Sequence, residues 1–357
     1  MTTPAALPAL REIEVIAPNF KRRHSGVTST VLRLVPLQAR DIAIVASGPD
    51  LPPEVPNLPP ARLLFLPRRG PKGPRVWHAR RNVEMVAGLA LRSLARKDLK
   101  LLFTSAAQRR HTGFTRWLIR QMDAVIATSA KSASYLERGA TVIHHGVDCV
   151  QFSPVQDRAA LRKTLDLPVE GPLVGCFGRI RHQKGNDLFV KAMIRVFRDL
   201  PDGKALVMGR ATDEHRGFLQ ALKDEVTAAG LKDRILFRDE VPIAQLAVHF
   251  QALDLYIAPQ RWEGFGLTPL EAMACGAPVV ATKVGAFEEL VVEDETGYLV
   301  EIEDLEALTA AARRLLSDAE QRAAFGQAAR THVEQNFSLK KEAASIISIY
   351  QRLLGAS

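Results

Sequence analysis

Cysteine is scarce in this 357-residue chain, with three copies at Cys149, Cys176 and Cys275. They lie far apart and form no CxxC pair. That excludes a disulfide framework and fits small buried thiols in a reducing compartment. Aromatic residues make up only 6% of the chain, too few for the basic-and-aromatic arrays with which strands or helices bind nucleic acid. No apolar run approaches the roughly 20 residues of a membrane-spanning helix. Residues 1–12 have neither the basic start nor the apolar stretch of a secretion signal, so a cytoplasmic protein is expected. No two aspartates are spaced as DxD, and the nine histidines form no HExxH. Neither a divalent ion on a diphosphate nor a zinc site is signalled, and no metal is expected.

What remains is an ordinary globular composition with an uneven charge. Residues 1–150 carry 23 Lys and Arg against 10 Asp and Glu, a net of +13, whereas residues 151–357 carry 25 against 29, a net of −4. The basic half should meet something anionic: nucleic acid, a membrane surface, or an acidic or phosphorylated saccharide acceptor. A solvated basic face is the plain alternative.

Short apolar runs alternate with helical patterns twice over. In the first half Glu12–Ala17, Ile42–Ser47, Leu63–Leu66, Leu99–Thr104 and Ala124–Ser129 read as buried strands, with helices at Thr28–Leu37 and Asn82–Ala95. The pattern restarts at Leu173–Phe177, Lys204–Met208, Ile235–Phe237, Leu255–Ala258 and Val279–Ala281. Helices are expected there at Asp187–Arg198, Glu214–Ala229, Gln245–Gln251 and Leu305–Ser317. This predicts an α/β chain of two doubly wound, Rossmann-like domains. The domains are expected at 1–165 and 166–338, with an amphipathic helix in 339–357 packing back toward the first. Pro67–Arg81 (PRRGPKGPRVWHARR) reads as a basic loop.

Two segments carry the chemistry. In RWEGFGLTPLEAMACGA (Arg261–Ala277), Thr268, Pro269 and Glu271 form a capping-box helix start. The turn Gly264–Thr268 then aims free N–H groups and a positive dipole end at one crevice, a site for an anion such as a diphosphate. Glu263 and Glu271 flank it and suit hydroxyl groups of a sugar or ribose; read alone, they are a loop acid and a capping residue. In VGCFGRIRHQKGNDLFVKA (Val174–Ala192), a strand ends at Phe177 and is followed by Gly178, Arg179, Lys184 and Gly185. Glycine permits a sharp turn close to a ligand, and Arg179 and Lys184 are natural phosphate partners.

Together these segments resemble glycosyltransferase family 4, retaining enzymes of the GT-B fold, in which two Rossmann-like domains face each other across a cleft. The interdomain segment HHGVDCVQFSP (His144–Pro154) and VGAFEELVVEDETGYLV (Val284–Val300) resemble the same family. The resemblance implies a metal-independent hexosyltransferase with no cofactor beyond its nucleotide-sugar donor. It implies that Arg179 and Lys184 neutralise the leaving diphosphate, that the turn Gly264, Phe265, Gly266, Leu267 and Thr268 binds the donor, and that the backbone N–H groups of Gly266–Thr268 hold the distal phosphate. Glu271 would bind the ribose and Glu263 the transferred sugar. Gly26, in HSGVTST, resembles the glycine loop of the first domain that closes over the donor. His144 and His145, which replace the family's polar pair before GVD, are read as interdomain structure.

The chain departs from the family at one place. Many members carry a histidine after the strand that here ends near Thr104, where this chain has Ser105 and Ala106. His111, beside Arg109 and Arg110, is the nearest candidate for a catalytic base on the acceptor side, and His24 is a second. Retaining transfer does not strictly require such a base. The loop PRRGPKGPRVWHARRNVEM resembles the lipopolysaccharide-core mannosyltransferases of alphaproteobacteria, which use GDP-mannose and act on the inner-core sugar Kdo. On that resemblance Arg68, Arg69, Lys72, Arg75, Arg80 and Arg81 are candidate contacts to an anionic, lipid-linked saccharide acceptor. Trp77 would sit at a lipid interface, stack on a sugar, or anchor the core. Peripheral contact with the inner membrane surface is expected, and no nucleic acid partner. Asp239 is a candidate acceptor from guanine. The alternatives are a family 4 glucosyl- or galactosyltransferase using a UDP-sugar, and a nucleotide-sugar epimerase of the same fold.

Overall fold

The computed structural model describes residues 6–22 and 26–355; His24 lies outside the described residues. The chain divides into two compact units, residues 1–144 with 339–357, and residues 145–338.

The first unit is built on six strands: β1 (Val15–Pro18), β2 (Ile44–Ser47), β3 (Arg75–Ala79), β4 (Leu99–Ser105), β5 (Ala124–Ala127) and β6 (Thr141–Val142). All neighbours pair in parallel, in the order β2-β1-β3-β4-β5-β6. The inner strands are buried along almost their whole length, as a parallel sheet covered on both faces requires. Helices Gly26–Gln38 and Leu339–Leu354 cover one face through Val31, Leu34, Ile346 and Tyr350. Helices Asn82–Ser93 and Gly113–Arg120 cover the other through Met85, Leu91, Leu118 and Ile119.

The second unit repeats the design with β7 (Leu173–Phe177), β8 (Lys204–Met208), β9 (Ile235–Arg238), β10 (Leu255–Ala258), β11 (Val279–Thr282) and β12 (Gly297–Val300). Their order is β12-β11-β10-β7-β8-β9, again all parallel. One face packs on Phe250, Leu270, Met273 and Phe287, the other on Phe189, Val196, Leu222 and Leu308. The strand order reverses between β7 and β10, and a crevice beyond the strand C-termini at such a switch point is where ligands of open α/β sheets bind.

Several expectations change. The division falls at His144/His145, not at residue 165, because helix Arg158–Thr164 is bolted to the second unit. There Arg162 donates to Ala252 O at 2.9 Å and Gly171 O at 3.0 Å and pairs with Asp254, while Arg158 reaches the same carboxylate at 2.6 Å. Leu63–Leu66 is not a strand; Pro60–Phe65 forms a 3-10 turn. The strand belongs inside the supposed basic loop, at Arg75–Ala79, whose five residues are all buried. Its charge concealed it. Arg75 is fully buried and donates to three carbonyls, Ile13 O at 2.9 Å, Pro67 O at 2.7 Å and Leu10 O at 3.2 Å, which satisfies the guanidinium without water. Helix Ala319–Asn336 is long and has little apolar periodicity, and the sequence pattern does not reveal it.

Candidate active site

Both chemical segments follow neighbouring strands of the second unit. Gly178 and the Lys184 loop follow β7, and Glu263 with its turn follows β10, so the switch point brings together residues 79 positions apart. The Lys184 ammonium donates to Glu263 Oε2, and the Gly264 N–H donates to Glu263 Oε1 at 2.9 Å. Both side chains are about four-fifths buried, which strengthens the pair beyond a surface ion pair. Arg179 is exposed at the rim of the same loop.

The helix after Glu263 does not begin as expected. It spans Leu267–Ala274, and Gly266 rather than Thr268 precedes it, in the left-handed region at φ 91°. The capping-box reading of Thr268 and Glu271 is therefore corrected: Thr268 lies in the first turn of the helix, not at its cap. The N–H groups of Gly266, Leu267 and Thr268 have no acceptor among the described residues. Such a helix start favours an anion. A side chain at Gly266 would run into the Phe287 ring and approach Glu263. Glu271 lies on the buried side of this helix with 8% exposure, and Phe265 is buried with its ring edge-on to His145, centroids 5.0 Å apart.

Two residues that the sequence pattern did not single out hold this geometry. Tyr256 of β10 is fully buried; its hydroxyl donates to Phe177 O at 3.2 Å and accepts from Phe177 N at 3.3 Å, tying β7 to β10. Burial pushes its phenol well above the usual tyrosine range, so it stays protonated. Arg261 grips Asp187 with two bonds of 2.8 Å, donates to His182 O at 2.6 Å and Glu303 Oε1 at 2.7 Å, and its N–H reaches Gln183 O at 3.0 Å. This clamps the turn carrying Lys184 and Gly185 against the end of β10. Burial alone would raise the Asp187 carboxyl, but the Arg261 hydrogen bonds and charge hold it below the usual carboxylate range. Gly185 has φ 70°, and a methyl there would meet the Pro259 carbonyl.

In the first unit the basic residues of 67–81 separate. Arg80 and Arg81 follow β3, on the C-terminal edge of the sheet. Arg81 donates to Glu84 Oε1 at 2.9 Å, Asn19 Oδ1 at 2.8 Å and Thr28 Oγ1 at 3.0 Å. Arg68, Arg69 and Lys72 precede the strand, at the opposite edge; Arg69 lies 3.4 Å from Asp98 and Lys72 2.8 Å from Glu14. Five strand residues span roughly 16 Å, so these two groups do not form one contact surface with Arg80. Arg75 is a structural bolt, not a contact residue, and Trp77 is a core anchor whose indole donates to Glu84 O at 2.8 Å. Gly26 opens helix Gly26–Gln38. His111 lies 3.3 Å from Ser105 Oγ beyond β4. Burial and the Arg109 charge hold its imidazole below the ordinary value. Asp239 is exposed just past β9.

The family model of glycosyl transferases group 1 matches residues 157–332. A lipopolysaccharide core biosynthesis mannosyltransferase, LpcC, of Rhizobium leguminosarum is 52% identical over 353 residues, 98% of this chain and 99% of the relative. The chain belongs to the group 1 glycosyltransferases. The corresponding mannosyltransferase LpsB of Rhizobium meliloti is 50% identical over 349 residues, 97% of this chain and 99% of its own length. The fold of this glycosyltransferase is GT-B: the crystal structure of Anabaena HepE in complex with UDP superposes with a TM-score of 0.81 at 20% identity, over 95% of this chain and all of that one. The enzyme is a hexosyltransferase of this class, and at its β7/β10 switch point a cation, a row of N–H donors and a carboxylate come together, groups able to receive a diphosphate and hydroxyl groups.

Proposed function

We propose that this glycosyltransferase moves mannose from GDP-mannose, with retention at the anomeric carbon, to the inner core of lipopolysaccharide, an acceptor of the Kdo–lipid A type. The observation that carries the reading is near-full-length identity to two lipopolysaccharide core mannosyltransferases. The net charge of +13 over residues 1–150 agrees with an anionic acceptor. In this reading Lys184 and Arg179 neutralise the departing diphosphate, and the N–H groups of Gly266–Thr268 hold its distal phosphate. Glu271 receives the ribose hydroxyls, and Glu263 the hydroxyls of mannose.

The bond from the anomeric carbon to the diphosphate breaks, and the acceptor oxygen bonds to the same face of the sugar. The departing phosphate oxygen takes the acceptor proton. In this reading no divalent ion and no cofactor enters the reaction, and His111 of the first unit is the candidate to orient the acceptor hydroxyl. The enzyme works in the cytoplasm, held peripherally at the inner membrane; no helix among the described residues is long and apolar enough to cross it. A thermal-shift panel of GDP-mannose, UDP-glucose and UDP-galactose tests the donor. GDP-mannose should give the largest rise in melting temperature; an equal or larger rise with either UDP-sugar refutes mannose as the transferred sugar.

A further inference from the structure

The layer that covers one face of the first unit's sheet turns an apolar, basic surface to solvent. Helix Asn82–Ser93 buries Met85, Gly88 and Leu91. Its outward positions, Val83 and Val86, and Leu94 just past its end are exposed and uncharged. A surface helix ordinarily presents polar residues there. Helix Gly113–Arg120 buries Thr115, Leu118 and Ile119 but leaves Phe114 57% and Trp117 50% exposed. Their rings are stacked, with centroids 6.1 Å apart and planes within 18° of parallel. The two helices are tied side by side by Asn82 Nδ2 donating to Thr115 Oγ1 at 2.7 Å and Arg92 donating to Gln121 O at 3.1 Å. The third element, Pro60–Phe65, exposes Leu64 and Phe65, the latter 76%. Lys97 donates to Leu64 O at 2.9 Å and holds it near Leu94. Leu63, Met85, Leu91, Leu118 and Ile119 share one core cluster beneath, so the exposed side chains of all three elements face the same way.

The charge around this surface is one-sided. Residues 60–120 hold 15 Lys and Arg against two acids, Glu84 and Asp98. Glu84 is buried, and Asp98 is occupied by Arg69. Arg92 pairs with Asp123, and Arg116 and Arg120 with Glu137. Arg62, Arg68, Arg96, Arg109 and Arg110 are exposed with no acidic partner among the described residues.

We propose that the outer face of residues 60–65, 82–94 and 113–120 is a docking surface for an anionic lipid bilayer. Its apolar side chains enter the boundary of the acyl chains while the arginines meet the headgroups. A second copy of the chain is disfavoured as occupant, because a self-complementary contact would set this positive field against itself. The placement gives Arg68 and Arg69, which lie away from the C-terminal edge of the sheet, a use as headgroup contacts. The proposal rests on the reading that the acceptor is lipid-borne.

The test is sedimentation of the full-length enzyme with vesicles of phosphatidylcholine, with and without phosphatidylglycerol. The Trp262→Phe background removes the other exposed indole, and spin-labelled lipid then reads the depth of Trp117. Binding should require phosphatidylglycerol, weaken with salt, and quench Trp117. Phe114→Ser with Trp117→Ser, and separately Val86→Asp, should each lower vesicle affinity roughly tenfold or more. Both should leave transfer to a delipidated, water-soluble acceptor unchanged. Equal binding to uncharged vesicles, undiminished binding by both variants, or a dimer of the wild type that these variants dissolve would overturn the docking surface. Loss of transfer to every acceptor with vesicle binding intact would instead count against the proposed reaction.

Discussion

Arg261 carries more of the donor site's geometry than its place in the chain suggests. Its guanidinium and Asp187 are each only 14% exposed, and truncating one partner of so buried a pair strands the other's charge. Arg261→Ala should lower unfolding stability by about 3 kcal/mol and raise the donor KM roughly tenfold, with a smaller change in kcat, because the Lys184 turn loses its clamp. Arg261→Lys should recover part of the KM, since one donor remains but the two-pronged fit does not. Steady-state kinetics and urea unfolding read both effects; an unchanged KM in Arg261→Ala refutes the clamp. No local pattern announces this residue, because its partner lies 74 positions away and the pair exists only once β7 and β10 are neighbours. That the Lys184 and Glu263 segments would meet was legible, because each lies beside glycines and a helix start at the end of a predicted strand. Arg75 was misread, and Trp77 left open between surface and core, because burial cannot be inferred from residue type in a stretch so rich in arginine. His78, within the stretch read as a loop, is likewise fully buried: it lies 2.6 Å from the Tyr350 hydroxyl and 2.7 Å from Thr104 Oγ1, and burial and Arg80 hold its imidazole well below the ordinary value.

Helix Leu267–Ala274 shows how an element makes a binding group from its backbone. Gly266 at φ 91° is what lets the chain enter this helix with its first N–H groups unsatisfied. Gly266→Ala adds left-handed strain of about 1–2 kcal/mol and a contact with Phe287. Donor affinity should fall at least tenfold in titration calorimetry, with the far-ultraviolet circular dichroism of the fold retained; unaltered affinity would mean that these N–H groups do not meet the diphosphate. The strands of the second unit were legible because they are short, fully apolar runs between turn residues. β3 was not, since RVWHA alternates charge and ring where the pattern of a buried strand calls for Val, Ile and Leu. Its carbonyl-satisfied Arg75 explains how that sequence is nevertheless buried. The starting residue of helix Leu267–Ala274 was misplaced by one turn signal, Thr-Pro, that here lies inside the helix.

Across the whole chain, the two-domain α/β plan was readable from the restart of the strand–helix alternation near residue 173. The division at His144 was not, because it depends on where helix Arg158–Thr164 docks, through Arg162 and Asp254, and not on prolines and glycines. The proposed division of labour is sharper for it: the second unit holds Lys184, Glu263 and the helix start proposed to receive the diphosphate, and the first unit holds the basic surfaces. In the proposed reaction Glu263, which faces Lys184 directly, is the central group. The most direct measurement is incorporation of labelled mannose from GDP-mannose into a lipopolysaccharide core acceptor by wild type and Glu263→Ala, with folding checked by thermal melting. Wild type should transfer mannose, and the variant should melt as a folded protein with transfer reduced at least a thousandfold, in line with loss of a group that acts in the transition state. Undiminished transfer by folded Glu263→Ala would contradict the account.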